Sequence, residues 1–295
     1  MFLVPVLLVW LSSEVFYRSV ENNYTFKTER IASEYEEIET LVLGNSHAFF
    51  GINPDYISSR TFNLANVSQS LYFDQLLLER HIDSLPKLKT VVLNISYFSL
   101  SLADDSGEDK WRKYFYQQQM KVDVPSISVF DPRQYSLALS RRFNPTVGLF
   151  REYFDNGTVV SSYNNGYGMQ DSTNIVKDKV AISKIIAKKH EDNSLDFEVN
   201  TARLKQMISL CNKREVEVIL IQMPVYKTYF DLLNSEKKEK ISQTLSRLEA
   251  NNPNVRYYNF SQNPIFVDRD LRDADHLTNA GAVKFSKLLN SLLGQ

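Results

Sequence analysis

Two short segments at opposite ends of this chain bring together residue types from which a nucleophilic site can be built. In Asp273-Ala274-Asp275-His276 a carboxylate precedes an imidazole by three positions. A turn there can let Asp273 accept a hydrogen bond from one ring nitrogen while the other faces the site. A ring held this way in one tautomer is a general base, which a serine hydroxyl needs because it must lose its proton as it attacks. Asp275 competes for the orienting role, but adjacent side chains rarely reach back to a neighbour's ring, which favours Asp273. The segment also reads as a loop histidine capping the following helix, or as a surface charge cluster. The serine stands in Gly44-Asn45-Ser46-His47. Gly44 permits an unusual backbone angle, and the Ser46 N–H could face a developing oxyanion. A serine after a strand is more often a turn or cap residue, so Ser46 needs support from elsewhere in the chain. His47 is a poor base for the serine directly before it; substrate contact or packing suits it better. His81 and His190 fall in helical or polar surroundings and receive no function.

Positioning such groups calls for a sheet with its loops gathered at one edge. Residues 40–44 (TLVLG), 61–65, 90–95 (TVVLNI), 215–222 (EVEVILIQ) and 255–260 (VRYYNF) are short apolar runs that read as buried parallel strands. Helical spacing marks 71–85, closed by Pro86, then 197–213 and 235–250, and Thr278 is a plausible N-cap for a last helix. Strands alternating with helices imply a parallel sheet covered on both faces, with ligands beyond the carboxyl ends of its strands. From about 100 to 194 the rhythm breaks into a Tyr-, Asn- and Ser-rich stretch with Pro125, Pro132 and Pro145, which reads as an insertion into one domain over 38–295. Its aromatic residues could stack on sugar, although such residues more often form a cap's own core.

Residues 2–11 (FLVPVLLVWL) form an unbroken apolar run, short for a membrane helix and near the length of a signal-peptide core. Residues 1–18 are therefore expected to be a membrane anchor or signal-like segment, and 19–37 a polar stalk or linker. A formal net charge of -1 provides no field for drawing in nucleic acid or anionic lipid, and no nucleic-acid-binding motif is present. The single cysteine, Cys211, rules out an intramolecular disulfide and a multi-Cys zinc site. No metal or other cofactor is expected. Sequons at Asn23, Asn66, Asn94, Asn156 and Asn259 suggest a secretory protein. However, Asn94 lies in a predicted buried strand and Asn66 beside the proposed site, which favours a bacterial envelope protein.

Taken together, the blocks resemble those of the SGNH (GDSL-like) hydrolase superfamily. Gly44-Asn45-Ser46 is similar to its first block, and Asp273-x-x-His276 with the following His-Leu-Thr-x-x-Gly-Ala is similar to its last. The resemblance implies a three-layer α/β/α sandwich with a central parallel sheet of flavodoxin-like type, Ser46 as nucleophile, and Asp273 and His276 as its partners. It places the remaining oxyanion or substrate-binding groups at Ser68 and Asn94, with Asn45 and His47 beside the nucleophile. The match is incomplete there: residues 62–70 (FNLANVSQS) lack the glycine of the second block, and Asn94 is not in a Gly-x-Asn setting. The Gly-Asn-Ser-His form is similar to that of envelope-associated members. It implies an esterase or O-acyltransferase working on an acylated glycan or small acyl ester outside the cytoplasm, with a multi-pass membrane acyltransferase as a possible partner. The competing expectation is a non-catalytic glycan-binding or scaffold protein on a degenerate hydrolase fold. A cytoplasmic lipase-like enzyme would require residues 2–11 to be a core helix.

Overall fold

The apolar runs become one parallel sheet in the computed structural model, which describes residues 3–171 and 174–293. In chain order the helices and strands are α1 (Leu3–Ser19), α2 (Asn23–Ser33), β1 (Thr40–Leu43), α3 (Ser46–Gly51), β2 (Thr61–Asn63), α4 (Leu71–His81) and β3 (Thr90–Asn94). Next come α5 (Asp109–Gln119), α6 (Leu137–Ser140), α7 (Phe143–Asn156), α8 (Lys179–His190), α9 (Glu198–Asn212) and β4 (Glu217–Gln222). The series closes with α10 (Lys227–Leu232), α11 (Ser235–Asn251), β5 (Val255–Asn259) and α12 (Asn279–Asn290).

The strand order is β2-β1-β3-β4-β5, every neighbouring pair parallel. This is the flavodoxin-like order, whose switch point lies between β1 and β3. Alternation along the strands sends side chains to two faces. On one face Val42, Val92, Ile219 and Ile221 share a core with Phe49 of α3, Ile52 just after it, and Phe285 and Leu289 of α12. Their neighbours Leu41, Leu43, Val91, Leu93 and Leu220 are equally buried, and α9 packs on β4 while pairing with α4. Helices thus cover both faces, giving the expected three layers. Thr278 caps α12 by accepting a hydrogen bond from Gly281 N at 3.1 Å.

The chain divides into two compact units. The described residues of Glu34–Leu102 and Tyr163–Gln295 form one and contain the whole sheet; those of Met1–Ser33 and Ala103–Ser162 form the other. The stretch expected as an insertion is therefore split. Residues 163–194 belong with the sheet, held by Asn63 N donating to Asn165 O (2.9 Å) and Gly168 N donating to Phe49 O (2.8 Å). The stretch expected as a stalk contains α2, with Tyr24, Lys27 and Ile31 buried.

Within the second unit α1 changes character along its length. From Leu3 to Leu11 its side chains are exposed, whereas Ser13, Glu14, Phe16 and Tyr17 are buried. Glu14, the acid that interrupts the apolar run, accepts hydrogen bonds from Ser136 Oγ (2.7 Å) and Ala138 N (3.0 Å) and pairs with Arg18. Phe16 packs on Phe150, ring centroids 4.2 Å apart and the planes tilted by 31°, and Tyr17 OH lies 2.7 Å from Thr146 Oγ1. Among the described residues no helix is long and apolar enough to cross a membrane.

Candidate active site

The site lies at the carboxyl ends of β1 and β3, where the strand order reverses. After Leu43 the chain must turn sharply, and Gly44 does so with φ +129°, a Cβ there falling 2.9 Å from the Asn94 Cβ. Its N–H donates to Asp74 Oδ1 at 2.8 Å. Asn45 then caps α3, its Oδ1 accepting from His47 N at 3.1 Å. Ser46 is left as the first residue of the helix, half-buried, with its N–H among the donors a first helical turn leaves unpaired.

At the far end of the chain, residues 271–277 double back on themselves. Leu271 and Leu277 form an antiparallel bridge, and Arg272 N donates to His276 O at 2.8 Å. This tight loop brings Asp273 under the His276 ring. His276 Nε2 lies 2.9 Å from Ser46 Oγ, and its Nδ1 lies 3.0 and 3.1 Å from the two carboxylate oxygens of Asp273. Asp273 is itself fixed by the N–H groups of Asp275 (3.0 Å) and His276 (2.9 Å) and by Arg272 Nε (3.1 Å). The structure therefore joins Ser46, His276 and Asp273 into one hydrogen-bonded chain.

Asp275 also reaches the ring. Its Oδ1 is 3.2 Å from His276 Nδ1 and its Oδ2 is 3.0 Å from His47 Nε2. The rule that neighbouring side chains diverge fails here because this loop is neither helix nor strand. Burial alone would hold the His276 imidazole neutral. Attraction to Asp275, the hydrogen bonds to Asp273 and Asp275, and attraction to Asp273 outweigh it and push the ring up to about 9. Burial opposes charge on both carboxyls as well, yet each is held below the usual range by its imidazole partners, Asp275 far below.

The residues expected around the oxyanion fall into two groups. Asn45, His47 and Asn94 meet at Ser96 in a buried network. Asn94 Nδ2 donates to Asn45 Oδ1 (3.1 Å) and Ser96 Oγ (3.0 Å), Asn45 Nδ2 donates to Ser96 Oγ (2.9 Å), and Ser96 Oγ lies 3.1 Å from His47 Nδ1. Both amide protons of Asn94 are thus directed at protein atoms, and both ring nitrogens of His47 are engaged. Ser68 stands apart, exposed, with φ +55°. That left-handed conformation is the one glycine adopts most readily. Arg272 and the Asp275–His47 contact carry no sequence signal beyond their closeness to the two blocks, whereas Ser96, two residues after Asn94, could be read from the sequence as an alternative to it. Nitrogen and oxygen atoms of His47, Asp275 and His276 lie within 4.8 Å of one another, a spacing that could hold a metal ion. His47 and His276 each also contact Asp275 directly.

No family model matches the chain, and no curated protein matches it. Among solved structures it is similar to a GDSL-like lipase from Bacteroides thetaiotaomicron, at 10% identity over 90% of this chain and 98% of that one, with a TM-score of 0.42. It is similar to a candidate acylhydrolase from Bacteroides fragilis, at 11% identity over 88% of this chain and 91% of that one, with a TM-score of 0.40. A candidate platelet activating factor structure from Streptococcus pneumonia is similar at 14% identity over 99% of this chain and 98% of that one, with a TM-score of 0.45.

Proposed function

We propose that this protein is a serine esterase or O-acyltransferase that works through an acyl-Ser46 intermediate on acyl groups of a cell-envelope or exported glycan. The observation that carries the reading is the unbroken Ser46–His276–Asp273 hydrogen-bond chain at the sheet's carboxyl edge. Ser46 Oγ attacks the ester carbonyl carbon as its proton passes to His276 Nε2, and the carbonyl oxygen takes the negative charge beside the Ser46 N–H. Collapse of that adduct expels the alcohol, which takes the proton back from His276. Water or a sugar hydroxyl then repeats the sequence on the acyl-serine, giving the acid or a new ester. Asp273 keeps the ring in the productive tautomer and stabilises it when charged.

A fluorophosphonate probe tests this directly, because an activated serine attacks phosphorus as it does an acyl carbon. The wild type should label at Ser46. Ser46→Ala should abolish labelling while leaving the melting temperature within about 2 °C, since a half-buried hydroxyl at the start of a helix adds little to the core. Labelling that persists in Ser46→Ala would remove the proposal.

The envelope setting is supported by α1, whose residues Leu3–Leu11 are apolar around the whole circumference and exposed. Lipid suits such a surface better than a protein groove does, since a groove covers one face only. The segment is read as the membrane attachment, beside which a multi-pass membrane acyltransferase could supply the acyl group. The full chain should sediment with phospholipid vesicles and Leu7→Glu/Leu8→Glu should not; equal sedimentation of both would refute membrane attachment. The scaffold reading keeps one specific observation in its favour, the commitment of both Asn94 donors to Asn45 and Ser96.

A further inference from the structure

The triad accounts for Ser46, His276 and Asp273 but leaves a second, fully buried carboxylate against the same imidazole nitrogen. Asp275 is 3% exposed and sits between three histidine rings. His276 Nδ1 is 3.2 Å from its Oδ1, and His47 Nε2 and His190 Nδ1 are 3.0 and 3.7 Å from its Oδ2. The array is held from outside. Ser96 Oγ approaches the far nitrogen of His47, and Tyr229 OH lies 2.9 Å from His190 Nδ1. Each of these contacts comes from a different part of the chain: His47 from α3, Ser96 from the end of β3, His190 from α8 and Tyr229 from α10.

The two carboxylates are not equivalent. Asp273 is 17% exposed at its side chain and shares its charge with the Arg272 guanidinium and two backbone N–H groups. Asp275 is drier, with imidazoles as the partners of its oxygens. A buried carboxylate unscreened by a fixed cation exerts the larger pull on a neighbouring ring.

We propose that Asp275, held in place by the Ser96–His47 pair, is a second acidic positioning residue for His276, so that the base is seated between two carboxylates rather than one. The inference rests on the esterase reading for its catalytic meaning, while the geometry it describes is independent of that reading. Ser96 Oγ–H donates to His47 Nδ1, His47 Nε2–H donates to Asp275, and Asp275 shares the His276 Nδ1 proton with Asp273. His47, a poor base for Ser46, is useful here because α3 aims it away from the nucleophile and at the acid behind it. The arrangement makes His276 a stronger base at the cost of keeping it protonated at neutral pH. It also steadies the imidazolium formed as Ser46 attacks. The groups facing His276 and Asp275 are Asp273 and Arg272 on the same loop, His47 from α3, His190 from α8 and Tyr229 from α10, and of these only the carboxylates favour the charged ring.

The experiment is a ring titration of His276 by NMR in the full chain, with isotope-labelled histidine, alongside fluorophosphonate labelling rates over the same pH range. Asp275→Asn should lower the His276 midpoint by about one pH unit or more, and the labelling profile should move with it. The plateau labelling rate should fall by about tenfold or more. His47→Leu removes the donor that holds Asp275 against His276, so the carboxylate turns away and the midpoint should shift in the same direction, and His47→Gln, which keeps a donor, should restore part of it. This pair carries the test if Asp275→Asn does not fold. A His276 midpoint that stays in place in folded Asp275→Asn, or in folded His47→Leu, would overturn the inference, since a merely structural role would not move it. If wild-type Ser46 does not label but the midpoints shift as stated, the esterase reading fails and the positioning inference stands.

Discussion

In the proposed mechanism Ser46 is activated only while His276 is neutral, and the charge around that ring decides when this holds. With the ring pushed up to about 9, a protonated His276 predominates at neutral pH and cannot accept the serine proton. Fluorophosphonate labelling should therefore climb as pH rises from 7 and level off only above about 9. An ordinary surface imidazole would give a rise between 6 and 7. A profile already flat by pH 7.5 would show that the paired carboxylates do not act on the ring. The grouping of Ser46, Asp273 and His276 was legible through the resemblance of the two blocks to those of SGNH hydrolases; taken alone, a serine after a strand and an Asp-x-x-His read equally well as turn or cap residues. Asp275 was weighed for the orienting role and set aside, because its reach to His276 depends on a loop conformation that residue spacing does not specify; the same holds for the Asn94 amide, which turns toward Ser96 and Asn45.

At the scale of elements, α12 and the loop before it are locked together through one glycine. A Cβ on Gly281 would lie 2.1 Å from Asp270 O, the carbonyl that also accepts from Thr278 N. The helix must approach that closely for Thr278 to cap it and for residues 271–277 to present Asp273 and His276. Gly281→Ala should thus destabilise the protein by about 1–3 kcal/mol and slow labelling of Ser46, because the backbone has to separate. Gly148→Ala in α7, where a Cβ meets nothing within 4 Å, should instead be neutral or stabilise by up to about 1 kcal/mol. Equal effects of the two on urea midpoints would discredit the packing argument. The five strands could be read in advance because their apolar runs end abruptly in polar residues, and the N-cap of α12 because threonine is among the residue types preferred there. Helix α3 was missed: at six residues it offers less than two turns of periodicity, and Asn45 was read as a group beside the nucleophile and not as an N-cap.

The whole molecule departs most from the sequence expectation in how it is partitioned, since residues 103–162 group with 1–33 and the tract around 163–168 belongs to the sheet-bearing unit. Aromatic residues obscured this. Phe16, Tyr17, Tyr24 and Phe115 make a core by ring contacts that no helical or strand period announces. Stability of the molecule should in turn depend on histidines outside the triad. Burial pushes both His81 and His190 down to about 4, and His81 Nε2 has no hydrogen-bond partner among the described residues. Their folded-state values lie below the unfolded value near 6.5, so the unfolded chain takes up these protons first as pH falls. The stability they contribute is complete above pH 6.5 and is lost progressively down to about pH 4, roughly 3 kcal/mol for each ring. His276 has the opposite sign: its raised value contributes stability that is complete below pH 6.5 and is lost as pH climbs through about 9. Urea midpoints should peak near pH 6.5 and decline on both sides. His81→Gln should flatten the acid limb without altering the alkaline one. An acid limb equally steep in His81→Gln and wild type would show that this ring is not the one being charged.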